Sequence, residues 1–153
     1  MVKRIIFYEE RCTNCSLCAM YCSLTFSEQG CYQFRPYESR IRVRGSEDGS
    51  LYVAHVCLQC DDAPCLNSCP VDAITRENSS GIIVIDEQAC TGCESCIEAC
   101  PFDCVFMADE KAIKCEVCDD PLCVKACAVK ALALVDDHEV DRATLEKLYR
   151  EVR

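Results

Sequence analysis

Cysteine spacing constrains this chain more than any other feature. Sixteen cysteines fall into four blocks: Cys12-x2-Cys15-x2-Cys18-x3-Cys22, Cys57-x2-Cys60-x4-Cys65-x3-Cys69, Cys90-x2-Cys93-x2-Cys96-x3-Cys100 and Cys115-x2-Cys118-x4-Cys123-x3-Cys127. Disulfides, structural zinc and iron–sulfur ligation are the three chemistries that use so many thiols. Disulfides persist in oxidising compartments, and no basic-then-apolar leader opens the sequence. Zinc takes two CxxC pairs, or cysteine with histidine, and the only histidines, His55 and His138, stand in no ligand spacing. Thiols at successive intervals of three suit a cubane: a loop wraps three corner irons and the fourth thiolate arrives from elsewhere. At four thiolates per cubane, the sixteen block cysteines predict four [4Fe–4S] clusters, with none left over.

The remaining residues exclude more than they suggest. A net charge of −10 argues against a nucleic-acid partner. No apolar run of 18 residues is present for a membrane span, and the five glycines form neither a GxGxxG nor a P-loop. A cytoplasmic location is the expectation. Two cysteines lie outside the blocks. Aligning PVDAI, PFDCV and AVKAL places Cys104 where the other segments have Ala73 and Ala131, so it reads as a small residue packed beside a cluster. Cys31, in a polar loop without partner spacing, reads as a free thiol. Asp61-Asp62 and Asp119-Asp120 hold equivalent loop positions, which favours a turn role over acid–base chemistry. With His55 read as packing near a cluster and His138 in an acidic stretch, no catalytic constellation remains, and the chain is expected to be non-catalytic.

Each repeat reads as a short strand, a cysteine loop, one or two helical turns and a second strand. KRIIFY at 3–8 and IIVID at 82–86 read as strands; 41–44 and 51–54 flank the turn-rich GSEDGS as a hairpin. Residues 19–21 and 97–99 suit short helices whose closing cysteine points back at a cluster, with Pro70 and Pro101 ending the helices of the second and third blocks. After Val135, Asp141 is a plausible N-cap for a terminal helix carrying Leu145, Leu148 and Val152 on one stripe. That helix would close over the chain's own modules or dock on a partner.

The blocks resemble those of two-cluster bacterial ferredoxins, in which the last cysteine of each block ligates the other cluster. The resemblance implies an α+β fold of two ferredoxin-like dicluster modules. A nested pairing is expected, because the middle blocks share the Cys-Pro ending while Ser23 and Ala128 follow the outer ones. An outer module would comprise 1–44 and 105–135, an inner module 45–104, and an acidic linker with the C-terminal helix 136–153. The implied ligand sets are Cys12, Cys15, Cys18 and Cys127 (first); Cys115, Cys118, Cys123 and Cys22 (second); Cys57, Cys60, Cys65 and Cys100 (third); and Cys90, Cys93, Cys96 and Cys69 (fourth). Sequential pairing is the competitor, and a swap of Cys22 with Cys69 would favour it.

The span from Cys12 to Leu134 also resembles the four-cluster polyferredoxin subunits of anaerobic oxidoreductases. Such subunits accompany tungsten and molybdenum enzymes, hydrogenase and formate dehydrogenase systems, and carbon monoxide dehydrogenase. The short Asp119-Asp120-Pro121-Leu122 departs from the dimethyl sulfoxide reductase type, which has a longer insertion there. RCTNCSLCAMYCS, RIRV and VCLQCDDAPC are most similar to the small subunit paired with tungsten aldehyde oxidoreductases, with aromatic-ring reductases close behind. The resemblance implies a relay of single electrons between a tungsten or molybdenum pterin subunit and a ferredoxin, a flavin-containing subunit or a further relay. A free diffusible polyferredoxin is the alternative. Charge adds an asymmetry: residues 1–44 carry seven basic and four acidic side chains, whereas 45–141 carry five and twenty. The ends are therefore expected to face a partner or another copy of the chain, and the acidic middle to meet basic surfaces.

Overall fold

A computed structural model describes residues 2–26, 34–46 and 51–136. The expected C-terminal helix, Cys31 and His138 lie outside the described residues. Ile- and Val-rich segments form eight short strands: β1 (Lys3–Phe7), β2 (Arg42–Gly45), β3 (Tyr52–His55), β4 (Ile74–Arg76), β5 (Ile83–Ile85), β6 (Val105–Ala108), β7 (Lys111–Lys114) and β8 (Leu132–Asp136). Among the described residues four α-helices follow the cysteine loops: α1 (Leu17–Phe26), α2 (Pro64–Asn67), α3 (Ser95–Ala99) and α4 (Leu122–Lys125). The strands pair antiparallel in four two-stranded sheets, β1 with β8, β2 with β3, β4 with β5 and β6 with β7.

The β1–β8 pair joins the two ends of the described chain, with Lys3 opposite Asp136 and Phe7 opposite Leu132. Helix α1 packs on α4, and α2 on α3. The helix of the first block therefore packs with that of the fourth in an outer body, and the helix of the second with that of the third in an inner one. The chain crosses from the outer body to the inner through the β2–β3 hairpin and returns through β6–β7. The return turn has two residues, Asp109 (φ 44°) and Glu110 (φ 63°), whose positive φ suits the right-handed twist of the strands. This turn presses on the third cysteine loop: a Cβ at Gly92, itself at φ +71°, would lie 2.3 Å from the Glu110 carbonyl oxygen.

Two apolar cores result. Ile5, Phe7, Ile41, Val53, Val56, Leu58 and Leu132 surround Cys22, Cys57, Cys115 and Cys123, while Ile74, Ile83, Ile85, Val105 and Ala112 surround Cys65, Cys90 and Cys96. Strands of three to five residues are marginal on their own. Each such body is small, and domains of this size usually need metal or covalent staples.

The helices correct one expectation. α1 does not stop near Cys22 but continues to Phe26. Ser23 is fully buried there, donates to the Arg35 carbonyl (2.7 Å) and accepts from the Arg35 amide (3.1 Å), which docks the extra turn. Proline is also not required as a stop, since α4 ends without one. What the second, third and fourth blocks share is a left-handed residue three positions after the last cysteine: Asp72, Asp103 and Lys130.

Candidate functional site

The cysteine loops have a common backbone conformation. The second residue after each block's first cysteine has positive φ in all four blocks: Asn14 (55°), Gln59 (54°), Gly92 (71°) and Val117 (50°). A second left-handed residue precedes the third cysteine by two positions at Ser16, Ala63 and Glu94; the fourth block has Pro121 there instead. Outside glycine this conformation costs about 1–2 kcal/mol per residue and persists where the surroundings over-determine it. Such turns aim successive N–H groups into one concavity. Amides donate to sulfur at Cys22 (from Arg40, 3.3 Å), Cys57 (Gln59, 3.5 Å), Cys90 (Ala112, 3.5 Å), Cys100 (Cys104, 3.4 Å) and Cys127 (Ala131, 3.1 Å). N–H donors aimed at sulfur stabilise thiolate and tune the potential of an attached cluster.

The thiols gather across the chain. One cavity is lined by Cys12, Cys15, Cys18 and Cys127 within walls of Phe7, Val43, Ala54 and Leu132. Burial pushes the Cys18 thiol up to about 11, and the charges of Cys127, Cys15 and Cys12 add to the rise. Burial pushes Cys60 up to about 12, reinforced by Cys57, Cys100 and Cys65. Cys123 rises to about 12 through burial and then through Cys22 and Cys118. Cys96 rises to about 11 through burial, with Cys65, Cys90 and Cys93 contributing. Cys69 packs half-buried on the core that holds Cys65, Cys90 and Cys96. Cys22 thus stands beside the fourth-block thiols Cys118 and Cys123.

Such a donor set fits an iron–sulfur cluster. Among the described residues no three His, Cys, Asp or Glu side chains close on a point that a single ion could occupy. A cubane spreads its thiolates over four irons and needs a wider cage. Raised thiol pKa values mean that ligation displaces protons. Two thiols shift the other way: hydrogen bonding with Ser95 lowers Cys93, and contact with the Cys104 side chain, with backbone donors assisting, outweighs burial and holds Cys100 down at about 6. Cys104 is 1% exposed and its thiol donates to the Phe102 carbonyl (3.0 Å), matching buried Ala73 and Ala131 in the other repeats.

Electrostatic influence also passes between thiols of different groups. Cys18 bears on Cys123, Cys57 on Cys115, and Cys65 on Cys96. Of the described cysteines only Cys15 and Cys93 are exposed; the rest are buried or half-buried.

The other candidates are structural. His55 Nδ1 lies 3.2 Å from the Phe102 carbonyl oxygen. The exposed acid pairs sit in bends, where Asp61 pairs with Arg4 (3.0 Å) and Asp120 with Lys125. Three buried polar groups carry no sequence signal of their own. Arg40 bridges Glu116 (2.7 Å) and Glu87 (2.9 Å) with its guanidinium over the Phe26 ring. Gln59 donates to the Cys115 carbonyl (2.8 Å) and accepts from the Ile83 amide (2.8 Å). Lys114 donates to the carbonyls of Ile83 and Cys115. No described helix is long and apolar enough to cross a membrane.

Comparison with known proteins agrees with this chemistry. Residues 49–137 match the family model of the 4Fe-4S dicluster domain. The chain is 38% identical to YsaA of Escherichia coli (strain K12), over 96% of this chain and 98% of that one. It is 31% identical to the electron transport protein HydN of the same strain, over 98% and 97%. The polyferredoxin-like subunit of the aliphatic sulfonate oxidoreductase of Pyrococcus furiosus is 35% identical over 80% of this chain and 70% of that subunit. Among solved structures, a chain of the benzoyl coenzyme A reductase active-site complex BamBC shares the fold, with TM-score 0.53 and 23% identity over 98% and 87% of the two chains.

Proposed function

Because this chain belongs to the 4Fe-4S dicluster, ferredoxin-type family of electron transport proteins, we propose that it is a non-catalytic relay of single electrons through four [4Fe–4S] clusters in an anaerobic, cytoplasmic oxidoreductase. The proposed ligands are Cys12, Cys15, Cys18 and Cys127; Cys115, Cys118, Cys123 and Cys22; Cys57, Cys60, Cys65 and Cys100; and Cys90, Cys93, Cys96 and Cys69. The first two sets belong to an outer module of 1–44 and 105–135, the last two to an inner module of 45–104. When bound, such a cluster accepts and returns one electron with little atomic movement.

The observation that carries this reading is the gathering of thiols from different blocks, with Cys12, Cys15, Cys18 and Cys127 lining one cavity, α1 packed on α4 and α2 on α3, and the charges of Cys18, Cys57 and Cys65 felt at Cys123, Cys115 and Cys96. They support a linear order of the four sets, first to fourth. The exposed thiols, Cys15 and Cys93, then fall on the two end sets, which supports entry and exit at opposite ends. The chain's own residues keep water from the middle of the row and hold its thiolates by backbone N–H groups. The ends differ in character. A groove with Phe34, Tyr37, Arg42 and Arg44 adjoins the first loop, while Glu94 and Glu98 are exposed beside Cys93.

The partner we propose is a tungsten or molybdenum pterin subunit of the aldehyde oxidoreductase type, with a ferredoxin or flavin-containing subunit at the other end. The sequence motifs and the likeness to a polyferredoxin-like oxidoreductase subunit support it. Full-length likeness to HydN favours the second reading, a free diffusible carrier. Anaerobic isolation of the endogenous protein separates them. A fixed ratio to a tungsten- or molybdenum-containing polypeptide is expected; a lone small acidic protein would overturn the subunit reading.

A further inference from the structure

Of the cationic side chains among the described residues, only Lys114 is completely withdrawn from water (0% exposed). The other two buried cations have carboxylate partners: Arg4 pairs with Asp61, and Arg40 with Glu87 and Glu116. Lys114 is paired with no carboxylate among the described residues. Its ammonium donates to two carbonyls, that of Ile83 in the inner body and that of Cys115 (3.2 Å) in the outer. Gln59, equally buried, spans the same two residues from the other side.

An ammonium out of water is costly unless an opposite charge compensates it, and carbonyl dipoles compensate only in part. Here the neighbouring formal negative charge is sulfur. Lys114 adjoins Cys115 in sequence, its ammonium spans the junction between the Ile83 and Cys115 carbonyls, and its positive charge reaches Cys65, where it favours the thiolate. In the four-cluster relay reading, on which this inference rests, Cys57 and Cys65 belong to the third set and Cys115 to the second. These are the two sets without an exposed cysteine.

We infer that Lys114 is the internal counter-charge of the two middle [4Fe–4S] centres and holds their reduction potentials above the values they would have without it. Each thiolate-bound cubane is an anion that becomes more negative on reduction, so a nearby fixed cation favours the reduced state. A buried charge acts through a medium that screens weakly, whereas surface lysines are screened by solvent and salt. An electron is thereby favoured in the sealed middle of the row.

The test is a potentiometric titration of anaerobically reconstituted full-length protein, followed by electron paramagnetic resonance, with iron and sulfide counted for each sample. The variants are Lys114→Arg, Lys114→Gln and Lys114→Met, with Lys3→Met, at the exposed start of β1, as the control. At the wild-type midpoint of the highest-potential centres, the Gln and Met variants should show a reduced-to-oxidised ratio lower by about tenfold, equivalent to 59 mV for one electron, while the Arg variant and the control stay within about twofold. An unchanged midpoint in fully loaded Gln and Met variants would overturn the inference, as would an Arg variant shifted as far as they are. Should both neutral variants fail to load iron while the Arg variant loads fully, the charge requirement stands; failure of the Arg variant too would refute it. A wild-type protein with fewer than four clusters would instead refute the relay reading, leaving any Lys114 shift readable on the centres present.

Discussion

Cys104 and Cys127 show how a residue's neighbourhood decides its role. Both have a partner at the fourth position in sequence: the Cys104 amide donates to Cys100 sulfur, and the Ala131 amide to Cys127 sulfur. Cys104 thus occupies the alanine position of the repeat, 1% exposed like Ala73. Cys127 instead lines the cavity of the first block's cysteines. Replacing Cys127 with serine is expected to disturb the cluster of Cys12, Cys15 and Cys18, while Cys104→Ala keeps the full iron content. Resonance spectra and iron analysis of the two variants check this, and an undisturbed first-block signal in Cys127→Ser would refute the nested ligand sets. The block cysteines were legible from sequence because cluster loops need fixed covalent spacing. Lys114 and Gln59 were not, because their partners Ile83 and Cys115 come together only after the two bodies have docked.

At the scale of elements, strands and turns were readable where β-branched runs alternate with polar turns, as at 3–8 and 82–86. The overrun of α1 was not, since it depends on Ser23 meeting Arg35 twelve positions away. The two bodies are held to each other by side chains between the elements. Arg40 of the outer body pairs with Glu87, which follows β5 in the inner body, and with Glu116 of the fourth block, which in turn accepts from the Ile85 amide of the inner body (3.1 Å). Arg40 and Glu116 are largely withdrawn from water, whereas Glu87 is half exposed. Arg40→Ala is therefore expected to leave Glu116 without its cation and to lower the stability of the holoprotein by about 2–4 kcal/mol, with most of the loss arising from Glu116 rather than Glu87. Anaerobic denaturant titration reads the loss. A wild-type midpoint in Arg40→Ala would show that the two bodies do not rely on this bridge.

For the whole molecule, two small cores with cysteines inside them leave little apolar mass to stabilise the fold without metal. In the relay proposed above, the row of thiol groups is closed in the middle and open at both ends, with opposite charge character at the exposed Cys15 and Cys93. The charge asymmetry was readable from sequence, but the proposed linear order was not, because it depends on which blocks face one another across the junction. All of this rests on one polypeptide holding four cubanes. The most direct check is to count iron, acid-labile sulfide and reducing equivalents on anaerobically reconstituted full-length protein. Four [4Fe–4S] clusters predict sixteen irons, sixteen sulfides and an uptake of four electrons per chain, from the sixteen block cysteines. Eight irons with two electrons, or iron without sulfide, would contradict it.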